Sequence, residues 1–309
     1  MKQTRLITDA AILLAIYTVL LAITIYVPII EVVAFFFLST PFILFVYRHN
    51  IKTAWFMLAG ALIASFLLNP VLALPATIMC GLAGTSMGYF YKKQQPLMAL
   101  SFGTLSFLVG TLLTYIGSIV LFDLNLFTVI ADEMKRSLQE QVNILSSFGQ
   151  GVPKEAIDQM LNQFDLLSMV LPTVIVIFSF ILAILTHIAN RPILTRLKLE
   201  YKPLKPFREW QLPKSIIWYY LVVILVQFMN IEKGSFLFVA VINVAIVLQL
   251  LLLVQGLSFI FYYSYLKNQS KWLPTIAVVI AIIAYPVQEF IRILGIIDLG
   301  FDLRGKLKR

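Results

Sequence analysis

Of 309 residues, 60% are hydrophobic and only 13% are charged, with a mean hydropathy of +0.91, whereas a soluble domain carries roughly 25% charge. That excludes an ordinary water-soluble fold and makes the chain a polytopic membrane protein. The net charge of +9 does not point to nucleic acid, because the basic residues fall in short loops between apolar runs, where membrane topology and anionic lipid account for them. One cysteine, Cys80, excludes an internal disulfide framework, and two histidines exclude a His-rich metal cluster.

Met1 to Asp9 carries Lys2 and Arg5, but the apolar run that follows is of span length and lacks a small-residue cleavage pattern, so no cleavable signal is expected. Nine apolar stretches follow, at about 10–27, 32–47, 53–68, 71–91, 97–121, 166–189, 216–231, 235–265 and 272–297. Most approach the roughly 20 residues that a helical span needs. Lipid offers no water to free backbone groups, and the alternation of a membrane barrel is missing, so helix is the only conformation left. The expected fold is all-α: a membrane helical bundle of eight or nine transmembrane helices. Residues 1–189 form a six-span domain, 190–215 a basic loop, and 216–309 a two- or three-helix extension with a basic tail.

The loop from Asn190 to Lys214 holds seven basic residues (Arg191, Arg196, Lys198, Lys202, Lys205, Arg208, Lys214) against Glu200 and Glu209. Short loops rich in Lys and Arg stay cytoplasmic. With the N-terminus inside, fifteen basic residues fall in inner loops and only Lys135, Arg136, Lys154 and Lys233 outside. The tail (Arg304, Lys306, Lys308, Arg309) conflicts with this arrangement, since nine full crossings would place it outside. Either the last stretch, interrupted by Pro286, Gln288, Glu289 and Arg292, fails to cross, or the tail breaks the rule. Aromatic residues near the span ends, Tyr26, Trp55, Trp210 and Trp272 among them, read as an interfacial belt.

Residues 122–165 form the large outer feature, with seven acidic and three basic side chains. Ile130, Met134, Leu138, Val142 and Leu145 recur at helical spacing, as do Ile157, Leu161 and Phe164 after Gly149, Gly151 and Pro153. An amphipathic helical hairpin is expected, either continuing the fifth and sixth spans or closing over a substrate.

No Walker loop, dinucleotide fingerprint, HExxH or GxSxG is present, so no enzyme activity, catalytic residue, metal or cofactor is expected. His49 and His187 read as interfacial residues. Ala11 and Ala15 stand one turn apart on the first span, and Gly84 and Gly88 repeat that spacing after Gly81 on the fourth; small residues let another helix approach closely. Glu31, in the turn after the first span, and Asn69, before Pro70, are candidates to line an outward polar pocket, each with a plainer reading as an interfacial residue or a turn former. Glu289 and Arg292 are three apart and share a helical face, where pairing lowers the insertion cost of each. Gln227, Asn243, Gln255 and Ser258 suit interhelical hydrogen bonds.

The whole chain resembles the YybS-type family of uncharacterised bacterial integral membrane proteins, particularly through VQGLSFIFYYSYLK at 254–267 and ILGIIDLGFDLR at 293–304. The first six spans also resemble the substrate-binding S components of energy-coupling-factor transporters, through ITDAAILLAIY at 7–17, GALIASFLLNP at 60–70 and GLAGTSMGYFYKK at 81–93. The second resemblance implies a small molecule bound from outside at Glu31 and Asn69. It also implies that Ala11 and Ala15 dock on a transmembrane coupling subunit served by a separate ATPase. S components stop at six spans and lack a 44-residue outer loop, so the extension is a departure. The alternative is a membrane scaffold or regulator that binds a cytoplasmic partner through Arg191 to Lys214. Both readings place the chain in the bacterial plasma membrane.

Overall fold

The computed structural model describes residues 2–147, 154–200, 202–229, 231–232, 234–270 and 272–307, and among these the chain is helical without strands. In order come α1 (Lys2–Tyr26), α2 (Glu31–Phe37), α3 (Thr40–Arg48), α4 (Ile51–Leu68), α5 (Pro70–Lys92), α6 (Pro96–Phe122), α7 (Leu126–Ser147) and α8 (Lys154–Arg196). A 3₁₀ turn at Phe207–Glu209 precedes α9 (Ser215–Gln227), α10 (Phe236–Leu266), α11 (Trp272–Ile283), α12 (Tyr285–Phe301) and α13 (Leu303–Leu307). Among the described residues, seven stretches are long and apolar enough to cross a membrane: Thr4–Tyr26, Glu31–Arg48, Ile51–Leu68, Pro70–Lys92, Pro96–Leu121, Met169–Arg196 and Phe236–Leu266. Ser215–Gln227 and Trp272–Ile283 are shorter apolar helices.

Local chemistry sets the boundaries. Asn69 ends α4 and caps α5, its side chain accepting from the amides of Val71 and Leu72, both at 3.1 Å. Pro70 follows at the first helical position, where its missing N–H is no loss. Asp123 closes α6 in the left-handed region at φ 52. The outer segment is therefore a separate helix, α7, while the part after the turn runs without interruption into the sixth span as α8. The expected turn at Gly149, Gly151 and Pro153 lies outside the described residues. The sixth span also outruns its expected end at Ala189, continuing to Arg196, so Arg191 and Arg196 ride on a helix instead of a loop.

Two compact units result. The first comprises Met1–Phe164 and Val174–Leu204, the second Asp165–Thr173 and Lys205–Arg309. The division thus falls inside the basic loop, between 204 and 205, and not at its edges. In the first unit α5 is the central helix, packed on α3, α4 and α6. Tyr17, Leu38, Phe42, Phe45, Met87 and Phe107 are fully enclosed there, and the Tyr17 and Phe42 rings meet edge to face at 5.0 Å.

In the second unit α10 carries α9, α11, α12 and the 3₁₀ turn. Its core joins Ile216 and Val223 of α9 to Ala245, Leu248 and Leu252 of α10 and Leu299 of α12. Gly256 and Gly295 mark the α10–α12 crossing, since a Cβ on either would strike the backbone carbonyl of Ile291 or Leu252. Asn243 of α10 spans the α8 backbone beside Pro172, accepting from the Thr173 amide at 2.9 Å and donating to the Met169 carbonyl at 2.7 Å. The last apolar stretch is broken at Ala284, whose backbone is extended (φ −111, ψ 99). The chain then doubles back: the Tyr262 hydroxyl, near the end of α10, donates to the Arg304 carbonyl at 3.5 Å. The Arg304 guanidinium donates to the Arg208 carbonyl at 2.9 Å. Arg304 therefore lies against the basic loop.

Candidate functional site

The second span is interrupted at Leu38 and Ser39, and Pro41 in the first turn of α3 has no N–H to return to the preceding helix. Free carbonyls inside a membrane bundle must find donors. Asn190, fully buried on α8, supplies them: its Nδ2 donates to the Phe36 carbonyl at 3.3 Å and to Thr186 at 2.8 Å. Its Oδ1 accepts from the Thr40 hydroxyl at 2.6 Å. Ser39 donates to the Cys80 carbonyl at 3.1 Å.

Further polar contacts lie in the same unit. The Tyr91 hydroxyl and His187 Nδ1 are 2.7 Å apart, and the Tyr17 and Thr77 hydroxyls 2.6 Å apart, with Ser65 also bonded to Thr77. His187 is 6% exposed and so belongs to the interior, not to the interface expected for it. Asn190, read from sequence as the start of the basic loop, bonds both sides of the interruption, at Phe36 and at Thr40. Among the described residues no three His, Cys, Asp or Glu side chains come together as a metal site would require.

On α1, Leu13, Tyr17, Leu21 and Thr24 face the core, while Ala11 and Ala15 lie on the exposed face with Ile12, Ile16 and Val19. The alanine pair takes no part in the bundle's own packing. Gly84 and Gly88 of α5 do: a Cβ on Gly84 would fall 2.5 Å from the Ser39 carbonyl oxygen and one on Gly88 2.8 Å from that of Ile43, so α3 and α5 are in backbone contact. Gly81 faces Leu58 and Phe42. Gly103 and Gly110 of α6, which the sequence reading passed over, allow the same approach to Met87 and Met79 of α5.

Glu31 opens α2 and is exposed, and the side-chain oxygen of Asn69 is committed to capping α5. No hydrogen bond joins them among the described residues, and neither lines the cleft at Arg5, Asp9 and His49 or the one at Phe259, Tyr263 and Leu303. Glu289 and Arg292 form an ion pair whose arginine side chain is 7% exposed and whose carboxylate is 46% exposed.

A second buried charge pair lies close by in the same unit. Asp298, 0% exposed, accepts from Gln255 Nε2 at 2.6 Å and from Arg304 Nε at 2.9 Å. Arg304 also donates to Ser258 Oγ at 3.1 Å. Three members of this group, Ser258, Arg304 and Gln255, hold the basic loop. Ser258 Oγ lies 2.8 Å from the Phe207 carbonyl and 2.7 Å from that of Trp210, Arg304 bonds the Arg208 carbonyl, and Gln255 Oε1 accepts from the Leu212 amide at 2.9 Å. The Arg208 guanidinium lies over the Tyr265 ring at 3.8 Å.

The family described as "Predicted membrane protein (DUF2232)" matches residues 15–299. The chain belongs to this family. Among its relatives, the uncharacterized protein YybS of Bacillus subtilis (strain 168) is 31% identical over 309 residues, covering all of both chains. No solved structure matches. The family match takes in the broken span, Asn190, Gln255 and Asp298, and stops short of Arg304.

Proposed function

We propose that the protein is a non-enzymatic, transport-associated membrane protein of the S-component kind. In this reading a small molecule enters from the outer side, and α1 docks on a separate transmembrane coupling subunit that an ATPase drives. The N-terminus, basic loop and tail are cytoplasmic. The observation that supports this best is the outward placement of Ala11 and Ala15: a small-residue pair that the bundle does not use is free for a partner helix. A broken span whose backbone is satisfied by side chains is also the arrangement in which membrane proteins present polar groups to small ligands. Ala15→Trp adds bulk to an exposed face without touching the core. The unmodified protein is expected to co-purify with the coupling subunit and ATPase, and the variant to lose both; the absence of either subunit from the unmodified preparation refutes the reading.

A second reading, a membrane scaffold or regulator, is favoured by one specific observation. Backbone groups at 207, 208, 210 and 212 are all held, which fixes the presentation of an exposed cationic loop. Charge reversal at Lys202 and Lys205 then releases a cytoplasmic partner, and an unchanged pulldown counts against it.

A further inference from the structure

We infer that the cleft between the start of α1 and the α3–α4 turn binds a phosphate-bearing anion at the membrane surface, a site independent of whether α1 docks on a coupling subunit. The cleft has a volume of about 780 Å³ and is lined by Arg5, Asp9, Arg48, His49, Asn50 and Thr53 together with Leu6. Small-ligand sites typically enclose about 300–1,000 Å³. Its acidic residue is already engaged: the Asp9 carboxylate lies 3.0 Å from His49 Nε2, and the Lys92 ammonium, donating to the His49 carbonyl at 2.6 Å, adds a cation behind the turn. Arg5 and Arg48 have no ion-pair partner among the described residues and both are exposed. Two guanidiniums without carboxylate partners, one on α1 and one at the end of α3, line the same cleft and can each donate to a phosphate.

The surroundings suit a ligand at the edge of the bilayer. Ile12 and Ile16 continue along the exposed face of α1 that carries Arg5, so a headgroup at Arg5 and Arg48 leaves an acyl chain an apolar path. Basic recesses among membrane helices take anionic headgroups in this way. A soluble phosphate would use the same two arginines without that path.

The test compares the full-length protein with three variants by native mass spectrometry, in phosphatidylcholine nanodiscs with or without phosphatidylglycerol, and separately with inorganic phosphate alone. Arg5→Gln/Arg48→Gln is expected to lower retained phosphatidylglycerol by about tenfold, as loss of two charge-assisted contacts predicts. Asp9→Asn, which removes the only anion from the cleft, is expected to raise it. Lys135→Gln/Lys267→Gln loses the same charge elsewhere and is expected to leave it unchanged. Retention of inorganic phosphate with the same pattern, and none for the lipid, assigns the site to a soluble phosphate and upholds it. If both probes fail to separate the arginine variant from the lysine control, or Asp9→Asn lowers binding, the inference is wrong.

Discussion

Arg304→Met removes a cation from the interior of the second unit while keeping an apolar stem. The guanidinium holds the Asp298 carboxylate at 2.9 Å, Ser258 at 3.1 Å and the Arg208 carbonyl at 2.9 Å. Its loss leaves a fully enclosed carboxylate with Gln255 alone. Breaking a buried ion pair from one side costs about 3–5 kcal/mol. At about 1.4 kcal/mol per tenfold change, the open fraction of the loop around Phe207 to Leu212 rises by about two to three and a half powers of ten. Trypsin reads this directly. Lys202 and Lys205 each precede proline, which protects their bonds, so cleavage at Arg208–Glu209 reports opening of the loop. When reclosing is fast, the cleavage rate follows the open population. The double variant Asp298→Leu/Arg304→Met removes both charges and is expected to recover most of the protection, because an apolar pair can replace a buried ion pair with little loss. Unchanged cleavage at Arg208 in the single variant, or equally fast cleavage in the double variant, would refute the clamp.

Gly84→Val sets a Cβ 2.5 Å from the Ser39 carbonyl oxygen and 2.8 Å from Phe42 Cβ, and overpacking of that kind destabilises by about 1–3 kcal/mol or more. Thermal unfolding in detergent is expected to show a clear drop, whereas Gly117→Ala, with nothing within 4 Å, is expected to leave the midpoint unchanged or slightly raised; matching midpoints would contradict the α3–α5 contact. Topology is open to single-cysteine labelling, because the one native thiol, Cys80, is buried and can be changed to alanine. In intact cells Gln141→Cys is expected to react with an impermeant maleimide and Lys198→Cys and Lys306→Cys only after permeabilisation. Reaction of Lys306→Cys together with Gln141→Cys would contradict the doubled-back tail.

Most of the architecture was legible because span length and apolar content are local properties, and each of the nine apolar stretches holds at least one helix. The interruptions were harder to read. The run from Val32 to Tyr47 stays apolar through Leu38, and only Ser39, Thr40 and Pro41 signal that the helix stops there. Charge misplaced the end of the sixth span: Arg191 suggests a loop, yet α8 carries Asn190 into the interior and persists to Arg196. Glu289 and Arg292 could be paired from spacing, being one turn apart. Asp298 and Arg304 could not, because six residues apart on a continuous helix they diverge. Asp302, left-handed at φ 48, reverses the chain and brings them together. Gln255 and Asp298 are 43 positions apart, beyond any local pattern. Ala11 and Ala15 were identifiable as a close-approach pair, but only the packing of Leu13, Tyr17 and Leu21 reveals which way the pair points.

The loop clamp also constrains the order of events during synthesis. Arg208 and Arg304 are 96 residues apart. At translation speeds of about 5–20 residues per second, the carbonyl waits roughly 5–20 s for its donor. During that interval α9 and α10 are made, and with them Ser258 and Gln255, which can engage the cationic segment at 207, 210 and 212 before Arg304 exists. The nascent strap is thus tethered from α10 first and gains its last fastening only with the tail.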